Sequence, residues 1–208
     1  EQHRPAKAFA DLAHVKAGQQ SNVCYHFQLR TGDVEKAFAE ADRIFEDRFS
    51  SPPAQHVPME PHVTLAYFDE HERLNIWTAS QSPSYVRTEI SATFGIPMNR
   101  IRVRVPYLGG GYGAKLYAKL EPLCTVMAMS TKKPVRYALT REEEFLTITK
   151  HKVVTKIKTA IKAGAITARK CEVYWDTGAY AEIGPRIGHK SGYTSAGPYR
   201  IPNVWIDS

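Results

Sequence analysis

The chain has 208 residues, of which 43% are hydrophobic and 24% charged, and its formal charge is +7. A chain of this length can bury a core that needs no covalent staples, and no run approaches the roughly 18 consecutive apolar residues of a membrane-spanning helix. Cys24, Cys124 and Cys171 are odd in number and far apart, which excludes a Cys-x-x-Cys ligand set, disfavours a disulfide framework and points to a reducing, cytoplasmic setting.

The opening Glu1-Gln-His-Arg-Pro is neither a Met start nor a signal peptide, so the chain reads as a piece of a longer one, and a periplasmic location stays open because the true N-terminus is missing. Residues 1–21 are polar and aperiodic, and are expected to form an extended lead-in to a folded region over 22–208. Val23–Leu29 alternates as a strand, and Asp33 can cap a short helix that places Val34, Ala37, Phe38 and Ala41 on one face. A strand over Arg43–Phe49 ends at Ser51-Pro-Pro. His62–Tyr67 and Leu74–Thr78 then read as a hairpin around Asp69–Arg73. Ser82-Pro83 opens a helix with Val86, Ile90 and Phe94 in its apolar stripe, and Gly95-Ile-Pro97 stops it.

Ile101–Val105 is the next strand, followed by glycines at 109, 110, 111 and 113, and then an apolar-periodic run over Leu116–Met129. That run predicts a helix burying Leu116, Leu120, Leu123, Val126 and Met127. Pro134–Leu139 is a strand, and Thr140-x-x-Glu143 is a capping box, so Glu142–Glu144 read as helix-start chemistry rather than an acid–base site. Val153–Ile161 and Ile166–Trp175 form a long hairpin across Ala163-Gly164, and Asn203–Ser208 is strand-like to its end. Lysines between Lys150 and Lys162 alternate with Val153, Ile157 and Ile161, which is the pattern of a solvated strand face and not of a nucleic-acid site. The expected fold is mixed α/β (mixed α+β), with sheets partly parallel and partly antiparallel.

Chemistry concentrates at Gly109–Gly113. Glycines between a strand and a helix let a ligand approach the main chain, and free N–H groups at a following helix start favour an anion. A P-loop needs Gly-Lys-Ser/Thr, but Gly113-Ala114-Lys115-Leu116 separates glycine from lysine and puts Leu where a hydroxyl belongs. Gly109-x-Gly111-x-x-Ala114 meets the loosest dinucleotide fingerprint. The acidic residue expected about 20 positions on is replaced by Lys132 and Lys133, which disfavours a nicotinamide site. Gln81 lies at the end of the preceding strand; if both strands share a sheet, its amide and the glycine N–H groups converge, and otherwise it only closes a turn. His56, Glu60 and His62 could suit zinc, but Pro58 and Pro61 interrupt any helical register between them. Trp175-Asp176 reads as a turn former, and Tyr107 and Tyr117 as core, leaving Tyr112 as the aromatic of the loop.

Gln55-His-Val-Pro-Met-Glu60-Pro, Thr78-Ala-Ser-Gln81-Ser-Pro, Gly95-Ile-Pro-x-x-Arg100-Ile-x-Val and Gly109-Gly-Gly-Tyr-Gly-Ala-Lys115, in that order and spacing, resemble the molybdenum-cofactor-binding large subunit of the xanthine dehydrogenase, aldehyde oxidase and carbon monoxide dehydrogenase family. Gly32-Asp-Val-x-x-Ala37-Phe, Pro134-Val-Arg, Asp176-Thr-Gly-Ala-Tyr180 and Gly197-Pro-Tyr-x-Ile-Pro-Asn203-Val extend the resemblance from about Tyr25 onward. It implies a molybdenum hydroxylase that inserts oxygen from water into a C–H bond and passes electrons to [2Fe-2S] and FAD centres on companion subunits or domains. It further implies a molybdopterin, its cytosine dinucleotide form left open, and an oligomeric full enzyme acting on a small-molecule substrate.

By matching position the cofactor falls to Gln81, Gly110, Gly111, Tyr112 and Gly113, with Tyr112 where the family usually has Phe. Molybdenum is held by the pterin dithiolene, so no protein metal ligand is expected. The general-base glutamate of a Gly-x-Gly-Glu stretch and an Arg-Gly-Phe-Gly loop are absent from this sequence and expected beyond residue 208, so the chain alone is expected to be inactive. Purine-oxidising members carry Glu where this chain has Leu116, which favours an aldehyde or a (hetero)aromatic substrate. A non-catalytic nucleotide- or partner-binding module would keep the same cradle, and a nucleic-acid binder would show steep salt dependence.

Overall fold

The computed structural model describes residues 23–178, 181 and 183–208, so the lead-in expected over 1–21 and part of the segment at 176–180 lie outside the described residues. The elements run β1 (Gln28–Thr31), α1 (Val34–Ala39), β2 (Arg43–Ser51), β3 (Val63–Phe68), β4 (Leu74–Thr78), α2 (Pro83–Phe94), a 3₁₀ turn (Met98–Arg100), β5 (Ile101–Arg104), α3 (Leu120–Thr131), β6 (Val135–Ala138), α4 (Arg141–Thr147), β7 (Lys152–Lys162), β8 (Ala165–Asp176), α5 (Gly184–Thr194) and β9 (Asn203–Asp207). They form two units, one from Glu1–Pro53 with His151–Ser208 and one from Ala54–Lys150.

The first unit is a five-stranded sheet in the order β1-β9-β8-β7-β2, antiparallel except for the parallel pair β8 and β9. β7 and β8 turn through Ala163 and Gly164, both at positive φ, the backbone that matches the twist of a two-residue hairpin. Val34 of α1 packs with Ala160 and Ala168, and Cys171, Val204 and Ile206 form a second cluster. Lysines of β7 pair across strands, Lys156 with Glu172 at 3.5 Å and Lys158 with Glu46 at 3.8 Å, as a solvated face does. Strand β1 starts later than the alternation of Val23–Leu29 suggests: its ladder with β9 begins at Gln28 opposite Asp207, next to Phe27, whose N–H donates to Ser208 O at 2.7 Å. Helix α5 escapes the sequence reading because Gly184, Gly188 and Gly192, poor helix formers, recur along it every four residues. Their period has a cause: a Cβ at Gly188 would lie 3.2 Å from Tyr25 Cδ1, and one at Gly192 2.1 Å from Phe27 Cδ1.

The second unit holds the sheet β5-β4-β3-β6, with β4 parallel to β5 and the other pairs antiparallel. Helices α2 and α3 cover it around Ala66, Leu74, Ile76, Val86, Ile90, Ile101, Cys124 and Ala128. Pro83 opens α2 and Gly95 ends it at φ 68° in the left-handed region. Ser82 does not cap with its hydroxyl; its N–H instead donates to Ser80 Oγ at 3.0 Å. Thr140 and Glu143 make the reciprocal capping box of α4.

Helix α3 corrects the expectation of a helix from Leu116 burying Leu123, Val126 and Met127. It begins at Leu120 and buries Leu120, Glu121, Cys124, Thr125 and Ala128, while Leu116, Leu123, Val126 and Met127 are exposed. Pro122 has no N–H and clashes with a preceding turn, so it is tolerated only in the first turn and forbids an upstream start. The face it turns to the sheet carries Cys124 and Ala128. Tyr107, expected in the core, is also solvent-exposed, at 93%.

Candidate functional site

β4 and β5 are parallel neighbours, so the segments leaving their carboxyl ends, Ala79–Gln81 and Pro106–Gly113, emerge side by side. The two are tied together by one side chain. Gln81 Oε1 accepts from Gly113 N–H at 2.9 Å and Lys115 N–H at 3.3 Å, while Gln81 N–H donates to Lys115 O at 2.8 Å. Ala114 N–H donates to Gly111 O at 2.8 Å and closes the turn. Gly111 is glycine because a Cβ there would stand 2.4 Å from Gln81 Oε1. Gly110 and Gly113 sit at φ 94° and 97°, and Tyr112 between them at 53°, so the loop is rich in left-handed backbone.

Gln81 therefore closes the turn and also meets the glycine loop, which joins the two readings offered for it. With Oε1 spent on the loop, its Nε2 is a donor with no partner among the described residues, and Gln81 is exposed. The N–H groups of Gly110, Gly111 and Tyr112 likewise find no acceptor among the described residues. These loop donors replace the helix start expected to supply them, because residues 114–119 separate Gly113 from the start of α3. Tyr112 is 73% exposed and Leu116 is at the surface. A Cβ at Gly113 would lie 4.0 Å from both Leu116 Cδ1 and His56 Nε2, so these two side chains flank that end of the loop. The donors, not an enclosing wall, mark the place; a cavity of about 440 Å³ in the same unit lies elsewhere, beside Arg73, Arg87, Arg100 and Arg102.

Beneath the loop lie groups that sequence reasoning missed or set aside. Lys115 is fully buried, and its Nζ donates to Glu60 O at 2.7 Å and Glu60 Oε2 at 2.8 Å. Glu60 Oε2 also accepts from Gly109 N–H at 2.9 Å. Burial would push the Glu60 carboxyl up, but the Lys115 ammonium and the Gly109 N–H outweigh it and hold the group below its ordinary value. His62 Nε2 reaches Ala114 O at 3.2 Å and its Nδ1 meets Glu144 Oε1 at 2.7 Å, with Glu144 fully buried. Glu144 is thus a core partner of the loop, while Glu143 alone caps α4. The pKa of His56 is lowered, first by burial and then by Lys119, His62 and Lys150. Among the described residues no group of three His, Cys, Asp or Glu is arranged to hold a metal ion, and His56, Glu60 and His62 go to these separate tasks. The signal for Glu60 and Lys115 was present, since both lie inside motifs of the family resemblance, but nothing local shows that residues 55 positions apart pair.

The chain resembles several known proteins. It is 34% identical over 190 residues to the nicotinate dehydrogenase large molybdopterin subunit of Eubacterium barkeri, covering 90% of this chain and 45% of that one. It is 30% identical over 202 residues to a probable xanthine dehydrogenase subunit of Bacillus subtilis, covering 96% of this chain and 27% of the relative. Among solved structures, quinoline 2-oxidoreductase from Pseudomonas putida 86 superposes with a TM-score of 0.79 at 28% identity, over 90% of this chain and 25% of that one. The aldehyde oxidoreductase of Desulfovibrio gigas shares the fold, with a TM-score of 0.84 at 24% identity over 91% of this chain and 21% of the other. The chain thus spans less than half the length of each of these proteins. The molybdopterin cofactor-binding domain family model matches residues 15–208, and with the mixed α+β fold and the donor-lined glycine loop now described, the chain belongs to that family.

Proposed function

We propose that this chain forms one wall of the cofactor site of a molybdenum hydroxylase, with Gln81, Gly110, Gly111, Tyr112 and Gly113 as the residues that hold a molybdopterin. The residues suit the group. A pterin with its phosphate and oxo oxygens asks for neutral donors that do not titrate, and an outward amide nitrogen beside three acceptor-free N–H groups supplies them. When bound, the cofactor supplies the oxygen-transfer and redox chemistry of C–H hydroxylation with water as the oxygen source. The chain's own part is to bind and orient it: Gln81 Oε1 fixes the loop and Nε2 faces the guest.

Leu116 flanks the loop and offers no hydrogen bond to a purine edge, which favours an aldehyde or a (hetero)aromatic substrate. Relatives named for nicotinate and quinoline, both N-heteroaromatic, support that class, while the Bacillus subtilis relative named for xanthine stands against it. The same reading carries a cytosine dinucleotide on the pterin, [2Fe-2S] and FAD centres on companion subunits, an oligomeric enzyme and a cytoplasmic setting. Among the described residues no helix is long and apolar enough to cross a membrane.

The observation that carries the proposal is the division of Gln81 between loop and guest, and Gln81→Glu tests it. A carboxylate keeps both loop bonds but replaces the outward donor with an acceptor. In the full-length protein the expected result is unchanged folding with a loss of bound molybdenum and pterin of about tenfold or more. Full retention by Gln81→Glu, or a wild-type protein free of molybdenum and pterin, would overturn the reading. On substrate, faster turnover of xanthine than of a panel of aldehydes and N-heterocycles would sink the preference drawn from Leu116.

A further inference from the structure

We infer that Glu60 is the positioning residue of the glycine loop, and that Lys115, the lysine of the Gly-Ala-Lys sequence, serves Glu60 and not a ligand; this rests on the loop being the cofactor cradle proposed above. One residue grips both ends of the loop. Glu60 Oε2 accepts from Gly109 N–H at 2.9 Å and from Lys115 Nζ at 2.8 Å. Its carbonyl accepts from the same Nζ at 2.7 Å, and its N–H donates to Gly109 O at 3.1 Å. Contact is close enough that a Cβ at Gly109 would lie 2.5 Å from Glu60 Cβ, which accounts for the first glycine.

Lys115 is the natural suspect for holding a phosphate, and the geometry removes it from that role. Its side chain is fully buried, with two of its three donor directions committed to Glu60. A buried ammonium is tolerated only when paired, so pulling it towards an outside anion would strand Glu60. The pair is neutral as a whole. The loop therefore attracts its guest through fixed N–H dipoles, and Glu60 sets where those dipoles point.

The sign of one substitution separates this from the obvious rival. If Glu60 merely shields a ligand-binding lysine, Glu60→Gln frees positive charge and tightens the anionic cofactor. If Glu60 positions the loop, the same change loosens it. The test uses the full-length protein as purified, with hydrogen exchange at the Gly109 amide, the one bonded to Glu60, and the rate of pterin release as readouts. Labelling of buried Cys124 serves as the check on folding. Expected for Glu60→Gln are loop exchange and pterin release each about tenfold faster, with Cys124 still protected. Should Glu60→Gln not fold, Glu60→Gln/Lys115→Met removes both charges of the pair, the buried ammonium included, and is expected to fold with the same fast release. Unchanged exchange and release, tighter pterin binding, or wild-type release in the double variant would overturn the assignment. A wild-type protein without pterin would instead strike the proposed function, and the exchange comparison alone would then decide the role of Glu60.

Discussion

Gly111→Ala is the sharpest probe of how the site is built, because its cost comes from one identifiable collision. Gly111 has no positive φ to explain it, so alanine is acceptable to the backbone itself. The new methyl would instead stand 2.4, 2.6 and 2.9 Å from Oε1, Cδ and Cγ of Gln81, and three overlaps on one side chain cannot be relieved by a small rotation. Gln81 must leave, and it takes with it the bonds to Gly113 N–H and Lys115 N–H. Each is worth about 1 kcal/mol net, and the buried Lys115 amide left without a partner adds to that, so the expected loss is about 2–3 kcal/mol. The protein carries its own reporters. Burial pushes the thiols of Cys124 and Cys171 up to about 11, and they sit in different units, so each is inert at neutral pH until its own unit opens. In full-length protein, Gly111→Ala should expose Cys124 at lower denaturant and leave Cys171 unmoved. In a Gln81→Ala background those three overlaps are gone, and the extra cost of Gly111→Ala should fall below about 0.5 kcal/mol, a coupling near 2 kcal/mol. Additive effects of the two substitutions would refute the packing argument.

The β3–β4 turn carries a pH signature. The Asp69 carboxyl is held down to about 2 chiefly by the Arg73 N–H, with help from Asn75, the Arg73 side chain and the His71 N–H. Its folded-state pKa lies below the unfolded one near 4, so its stabilisation is whole above about pH 4 and is lost as pH falls towards 2. Asp69→Asn should flatten that part of the acid limb in a denaturation series, and carbon-13 titration of the wild-type carboxyl should show the low midpoint. Thr140→Ala removes the hydroxyl that accepts from Glu143 N–H at 3.2 Å, and should cost about 1 kcal/mol in chemical denaturation. Ile90→Ala empties a fully buried site between α2 and its sheet and should cost about 2–5 kcal/mol, read at Cys124.

What the sequence disclosed depended on range. Elements whose ends are written in adjacent residues were legible: Pro83 and Gly95 bracket α2, Thr140 and Glu143 open α4, and Ala163-Gly164 joins β7 to β8. The start of α3 was misplaced although Pro122 marked it, because the apolar period from Leu116 is stronger to the eye than one missing N–H. Helix α5 was hidden by glycines whose purpose lies in Tyr25 and Phe27, more than 160 positions away. The cradle itself was legible as a run of glycines. Its supports were not, because the grip of Glu60 on Gly109 and Lys115, and of His62 on Ala114, exists only after β3, β4 and β5 have brought those segments together.

The supports also bear on how a strongly basic chain can present a neutral site. The formal charge of +7 would suggest that an anionic guest is drawn by lysine and arginine. At the loop the opposite arrangement holds: Lys115 is buried against Glu60, and Glu144 bonds His62 behind Ala114. What faces outward is an amide nitrogen and main-chain N–H groups, which attract oxygen through dipoles of fixed direction. A mobile ammonium follows its ligand, whereas a dipole held by Gln81 and Glu60 keeps its aim whether the ligand is present or absent. Such a surface gains from rigidity in a way that a charged one does not, and this explains why four donors of residues 109–115 go inward to side-chain oxygens, two to Glu60 Oε2 and two to Gln81 Oε1, while three amides stay free.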